Sequence, residues 1–159
     1  MRRVALLLVL TGCYDWDALS STFDFSGDYT VVVTNGQNGC GFANWTPGQM
    51  SGAIPLKITQ TMDQVVVEVG GLTGDLLNLV CGSKQLAGTV HQGAIDVSLI
   101  CPKQSMQMMC MFHYVAHAHA TLNGNHITGT IDYTTVTNHS PDCGQLENCR
   151  STQTFTGNR

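Results

Sequence analysis

Leu86-Ala87-Gly88-Thr89-Val90-His91-Gln92-Gly93-Ala94-Ile95-Asp96-Val97-Ser98-Leu99 is the stretch whose reading decides the fold. Apolar and polar residues alternate on both sides of Gln92-Gly93, the period of a half-buried strand. A Gly-containing pair between two such runs reads as a hairpin turn. Leu86, Gly88 and Val90 share one face, as do Ile95, Val97 and Leu99. Outward from this hairpin the period recurs in Tyr29, Val31 and Val33, in Ile54, Leu56 and Ile58, and in Val65, Val67 and Val69. It continues from Cys110 to Leu122 and through Ile127, Gly129, Ile131 and Tyr133. Near the C-terminus Thr152, Thr154 and Thr156 alternate with Gln153 and Phe155. Turn chemistry punctuates the runs at Asn35-Gly36, Asn38-Gly39, Gly70-Gly71 and Asn123-Gly124.

No segment repeats apolar residues convincingly at the helical period, and Asp75–Val80 is short enough to be a strand or one helical turn. Counted as a strand, 74–81 would make nine, and a nine-stranded up-and-down barrel closes with one parallel pair. Left irregular, it leaves eight, which close antiparallel throughout. The expected fold is therefore all-β: an antiparallel up-and-down meander of about eight strands, closed or nearly closed into a small barrel holding side chains or one small ligand. Leu86-Ala87-Gly88-Thr89-Val90 also matches Ile127-Thr128-Gly129-Thr130-Ile131. Glycine inside a strand marks a bend or a close approach, and curving a sheet into a barrel needs such points.

At 159 residues the chain has the length of one domain. Hydrophobic residues make up 43% and charged residues 11%, which excludes the low hydrophobicity and high charge of a disordered chain. Seven basic residues against eleven acidic ones, net −4, lack the basic footprint of a nucleic-acid binder.

The N-terminus reads Met1-Arg2-Arg3, then the apolar run Val4–Leu10, then Thr11-Gly12-Cys13. A basic start, a short apolar run and small residues are the parts of a secretory signal. The run is far short of the ~20 residues that span a bilayer as a helix. Leu10-Thr11-Gly12-Cys13 resembles the lipobox of bacterial lipoprotein precursors. That resemblance implies cleavage before Cys13 and acylation of Cys13, with more than one chain giving a stable anchor. It divides the chain into a signal peptide (1–12), an acylated Cys with its tether (13–25) and one barrel domain (26–159). Losing Arg2 and Arg3 leaves five basic against eleven acidic residues, net −6, so the lipid rather than surface charge would hold the protein to the membrane. The expected location is the bacterial cell envelope, outside the cytoplasm and with the outer membrane favoured, as a monomer. More loosely, Asn38-Gly39-Cys40-Gly41-Phe42 and Asn138-His139-Ser140-Pro141-Asp142-Cys143 resemble the small Gly- and Thr-rich bacterial lipoproteins, a group that brings no assigned activity.

Six cysteines remain: Cys40, Cys81, Cys101, Cys110, Cys143 and Cys149. An even number in an exported chain reads as disulfides, with fifteen possible connectivities. Sequence spacing favours Cys143 with Cys149 and Cys101 with Cys110, leaving Cys40 with Cys81. No C-x-x-C pair supports a structural metal site.

The alternation turns Glu68, Asp96 and Asp132 outward, so no strand carboxylate or histidine faces the interior. There is no G-x-S-x-G, P-loop or H-E-x-x-H motif. The expectation is a protein that is not an enzyme, with no catalytic residues and no cofactor. His113, His117 and His119 share one outward face with Met109 and Met111, a ligand set suited to copper or, through imidazole alone, to zinc or nickel. No carboxylate is expected beside this stripe, which otherwise reads as a solvated strand face. Inward, Ala116, Ala118 and Ala120 leave room that larger side chains would fill. Tyr29, Tyr114 and Tyr133 either border a ligand cavity there or fill it. The function expected is an envelope-anchored, non-enzymatic barrel that binds a small apolar ligand or an envelope protein partner. The alternatives are a metal-binding lipoprotein using the His and Met face, and a purely structural surface component.

Overall fold

A computed structural model describes residues 23–159; the lipobox, Cys13 and most of the expected tether lie outside the described residues. The elements run β1 (Gly27–Asn38), β2 (Ile54–Thr61), β3 (Gln64–Val69), α1 (Gly71–Cys81), β4 (Gln85–His91), β5 (Ala94–Ile100), β6 (Ser105–Gln107), β7 (Cys110–Asn123), β8 (His126–Thr137), a 3-10 segment (Pro141–Leu146) and β9 (Arg150–Asn158). The sheet order is β5-β4-β3-β2-β1-β9-β8-β7-β6, and pairing of β5 with β7 closes an eight-stranded antiparallel barrel. Those eight are the strands that the alternation marks. The short β6 is additional and hydrogen-bonds only to the start of β7.

Inward residues are mostly apolar, with Val31, Ile58, Val65, Val97, Ala120 and Ile127 all buried, while β9 turns Gln153 inward. The outer wall carries Thr30, Lys57, Thr59, Glu68, Asp96, His117, His119 and Thr130. A membrane-spanning barrel presents an apolar band outward and is often polar inside; here the interior is mainly apolar and these outward residues are polar or charged. Gly88 and Gly129 sit where a Cβ would lie 1.9 Å from the Asp96 carbonyl oxygen and 2.2 Å from that of His119. Both glycines admit the backbone of the adjoining strand, as their matched sequences suggest.

The barrel's two ends differ. At one, the strands turn through two-residue loops at Met62-Asp63, Gln92-Gly93 and Gly124-Asn125. Gln92 and Gly93 have φ of 49° and 81°, the double positive that a type I′ hairpin needs. Residues 23–26 cross this end. Phe25 is completely buried, its N–H donates to Gln60 Oε1 at 2.9 Å, and its carbonyl accepts from the Tyr29 hydroxyl at 3.0 Å. The domain therefore begins before residue 26: Phe25, expected in the tether, is core because it seals the barrel floor.

At the other end lie the long connections, α1 and all three disulfides: Cys40–Cys149, Cys81–Cys101 and Cys110–Cys143. All six expected cysteines are bonded, but none of the three expected pairings is correct. Barrel closure sets the first and last strands side by side, with the Gly39 N–H donating to the Arg150 carbonyl at 3.0 Å, so Cys40 meets a partner 109 residues away. Cys81 ends α1 beside Cys101, where the Lys103 N–H donates to the Cys81 carbonyl at 3.1 Å. Cys110 is buried at the start of β7 in a small cluster with Phe112, separate from the barrel core, and meets Cys143 in the 3-10 segment.

Two further expectations are corrected. The segment left irregular is an 11-residue helix, ended by Gly82 at φ 90° with its N–H on the Asn78 carbonyl. Its period was hidden because Leu72, Leu76, Leu79 and Val80 leave it apolar on the solvent side as well. Asn35-Gly36 is not a turn but lies inside β1, beside a shift of register against β9 between Asn35 and Asn38.

Candidate functional site: an apolar cavity under a leucine-rich helix

The barrel encloses a cavity of about 490 Å³, within the ~300–1,000 Å³ range of small-molecule sites. Strand register builds one of its walls in rows. Ala116 stands beside Tyr133, Ala118 beside Ile131 and Gln153, and Ala120 beside Gly129 and Phe155. The three alanines line the cavity, their small side chains keeping that wall back. Across the mouth α1 contributes Thr73, Leu76, Leu77 and Val80, the i, i+3, i+4, i+7 spacing of one helix face. Gly74 lets the helix settle on the end of β3, where a Cβ would meet the Val69 carbonyl oxygen at 2.0 Å.

The tyrosines divide. Tyr133 lines the cavity, its hydroxyl donating to Gln153 Oε1 at 2.7 Å, while Gln153 Nε2 donates to Asn35 Oδ1 at 2.7 Å. Burial pushes the Tyr133 hydroxyl up to about 12, so it stays a neutral phenol. Tyr29 and Tyr114, expected at the cavity, do not line it. Tyr29 belongs to the floor with Phe25, and Tyr114 packs against Phe42 and Phe112, with ring centroids 5.1 and 5.5 Å away. The phenols thus neither fill the cavity nor frame it as a set.

Among the described residues only Ser51, Thr73, Tyr133 and Gln153 bring side-chain polar atoms to the lining, and no Asp, Glu, His, Lys or Arg of them lines it. The Ser51 hydroxyl is already engaged, accepting from the Val33 N–H at 2.9 Å and donating to the Gly52 carbonyl at 2.7 Å. The sequence reading missed Gln153 and α1. Gln153 carried a signal, since it shares the parity of Phe155, whereas the helix carried no polar face to set its phase.

The histidine stripe lies outside the barrel, as its parity requires. His117 and His119 are exposed and His113 half-buried. Contrary to expectation, carboxylates adjoin it: His119 Nδ1 is 2.8 Å from Asp96 Oδ1, and His117 is paired in register with Asp132. Arg150 already holds Asp132, with Nη2 at 2.9 Å and Nε at 3.0 Å. Among the described residues no three His, Cys, Asp or Glu side chains gather to hold a metal ion. Met106 and Met111 pair on the β6–β7 hairpin and, with Met108 and Met109, are exposed.

No protein-family profile matches this chain, and neither a curated protein nor a solved structure is significantly similar to it.

Proposed function

We propose that this protein is a lipid-anchored binding protein of the bacterial envelope, whose barrel takes up a small apolar molecule. The observation that carries the reading is the 490 Å³ cavity, almost wholly apolar and covered at its mouth by α1. Burying apolar surface is worth about 25 cal/mol per Å², so a hydrophobic ligand gains most of its affinity from walls of this kind. The exposed Leu72, Leu76, Leu79 and Val80 form an apolar rim along which such a ligand reaches the mouth. The anchor enters through the lipobox at Cys13. The chain joins the barrel at its sealed end, where the Phe23 ring lies against Gly93, so the mouth opens at the end away from the attachment.

The test is binding of N-phenyl-1-naphthylamine to the soluble domain, followed by fluorescence and native mass spectrometry. The unmodified domain should bind one probe molecule. Ala118→Phe and, separately, Ala116→Leu should each weaken binding by about tenfold or more with the melting midpoint held or raised. Failure of the unmodified, folded domain to bind the probe would sink the proposal. For the anchor, Cys13→Ser should release the protein from membranes; unchanged membrane association with the N-terminal signal retained would remove that part.

A further inference from the structure

The cavity is graded from top to bottom. Near the mouth, on the β1–β9–β8 wall, stand Tyr133 and Gln153 with Asn35 behind them. Below the Gln153 row Val31, Val33, Ala120, Ile127 and Phe155 line the cavity, and the polar side chain beside Val33, Ser51, has its hydroxyl already engaged with the backbone. The Tyr133–Gln153–Asn35 chain uses one amide N–H, the amide oxygen and the phenolic hydrogen. That leaves the phenolic oxygen as an acceptor and the second Gln153 N–H as a donor.

We propose, building on the apolar-binding reading above, that the ligand is an aliphatic chain with an uncharged hydroxyl head, the head at Gln153 and Tyr133 and the chain running down past Ala120 to the floor. A hydroxyl both donates and accepts, so it satisfies the phenolic oxygen and the amide N–H together. A carboxylate only accepts, and would carry into the cavity a charge that no lining cation meets; burying an unpaired charge is strongly unfavourable. An alkane would satisfy neither group. From Tyr133 to Ile127 along β8, a strand rise of ~3.3 Å and a barrel tilt of ~40° give an axial depth of about 15 Å, the length of a chain of roughly ten to twelve carbons.

The experiment is displacement of bound N-phenyl-1-naphthylamine by decan-1-ol, decanoate at pH 8 and decane. Decan-1-ol should displace the probe at concentrations about tenfold or more below those needed for either of the others. In Gln153→Leu, and separately in Tyr133→Phe, that preference, taken as the ratio of the decane and decan-1-ol concentrations that halve probe fluorescence in the same variant, should shrink to about threefold or less. Melting curves confirm that each variant is folded. Equal displacement by decanoate and decanol, or a preference untouched in both folded variants, overturns the head-group site while leaving the apolar-binding reading intact. A probe that never binds the unmodified domain overturns both.

Discussion

The two ends of this barrel solve the same problem with different chemistry. The sealed end has short turns and a buried Phe25 whose N–H donates to Gln60 Oε1 and whose carbonyl accepts from the Tyr29 hydroxyl, while Gln60 Nε2 donates to the Phe23 carbonyl. Arg159, the last residue, adds Nη1 contacts to the carbonyls of Asp24 and Ser26 at 3.2 and 3.1 Å. The open end replaces packed core with a cavity, and it is there that all three disulfides and the helix lie. Where side chains fill the interior, burial holds the strands together. Where they do not, covalent links restrain the chain that burial leaves free. The open end is thus built to stay in place around a space, and the sealed end to remove one.

This contrast can be broken at several points. The largest effect should come from Cys40→Ser with Cys149→Ser, which releases the link across the first and last strands. A loop of about a hundred residues is worth roughly 4.7 kcal/mol in the chain-entropy model, and denaturant titration should show a loss of that order. A loss under about 1 kcal/mol would mean that the hydrogen bonds of β1 and β9 close the barrel unaided. Next, Phe25→Ala should cost about 4 kcal/mol through lost burial and the cavity left behind. If thermal unfolding moves only slightly, the floor is not held by packing around Phe25.

The smaller effects sharpen the comparison. Cys81→Ser with Cys101→Ser should cost about 3 kcal/mol, since the loop it opens is short. Hydrogen exchange should then quicken along α1 and leave Gln92-Gly93 and its strands protected. Uniform quickening in all strands would show that the helix is no separate part of the mouth. The smallest effect concerns acid. The Thr137 hydroxyl and His139 hold the Glu147 carboxyl below its ordinary value of 4.5. A lowered carboxylate contributes stability above its unfolded value and loses it as the pH falls through the folded one. The open end should therefore loosen on acidification below 4.5. Glu147→Gln should flatten that part of the stability curve, and an unchanged curve would show that the carboxylate contributes nothing.

The eight barrel strands were legible because period-two alternation survives any tertiary context in which one face is buried. The inward alanines and the outward histidines followed from the same parity. The helix was not legible, because its leucines sit over a mouth and not on a core, and no polar face marks its phase. The carboxylates beside the histidine stripe were missed for a different reason. Asp96 and Asp132 were correctly turned outward, but only the register of β5, β7 and β8 sets them next to His119 and His117.

By itself, then, the sequence determined the strands, which way each side chain turns, the closure parity and the fact that six cysteines would pair. All of these are local: they depend on neighbours one, two or a few residues away. Tertiary structure alone decided which cysteines meet, that Tyr133 and not Tyr29 or Tyr114 borders the cavity, and that the interior stays open under α1. Those outcomes depend on distances between segments up to 109 residues apart. Nothing local encodes such distances, because they exist only once the sheet has curved far enough for its first and last strands to bond.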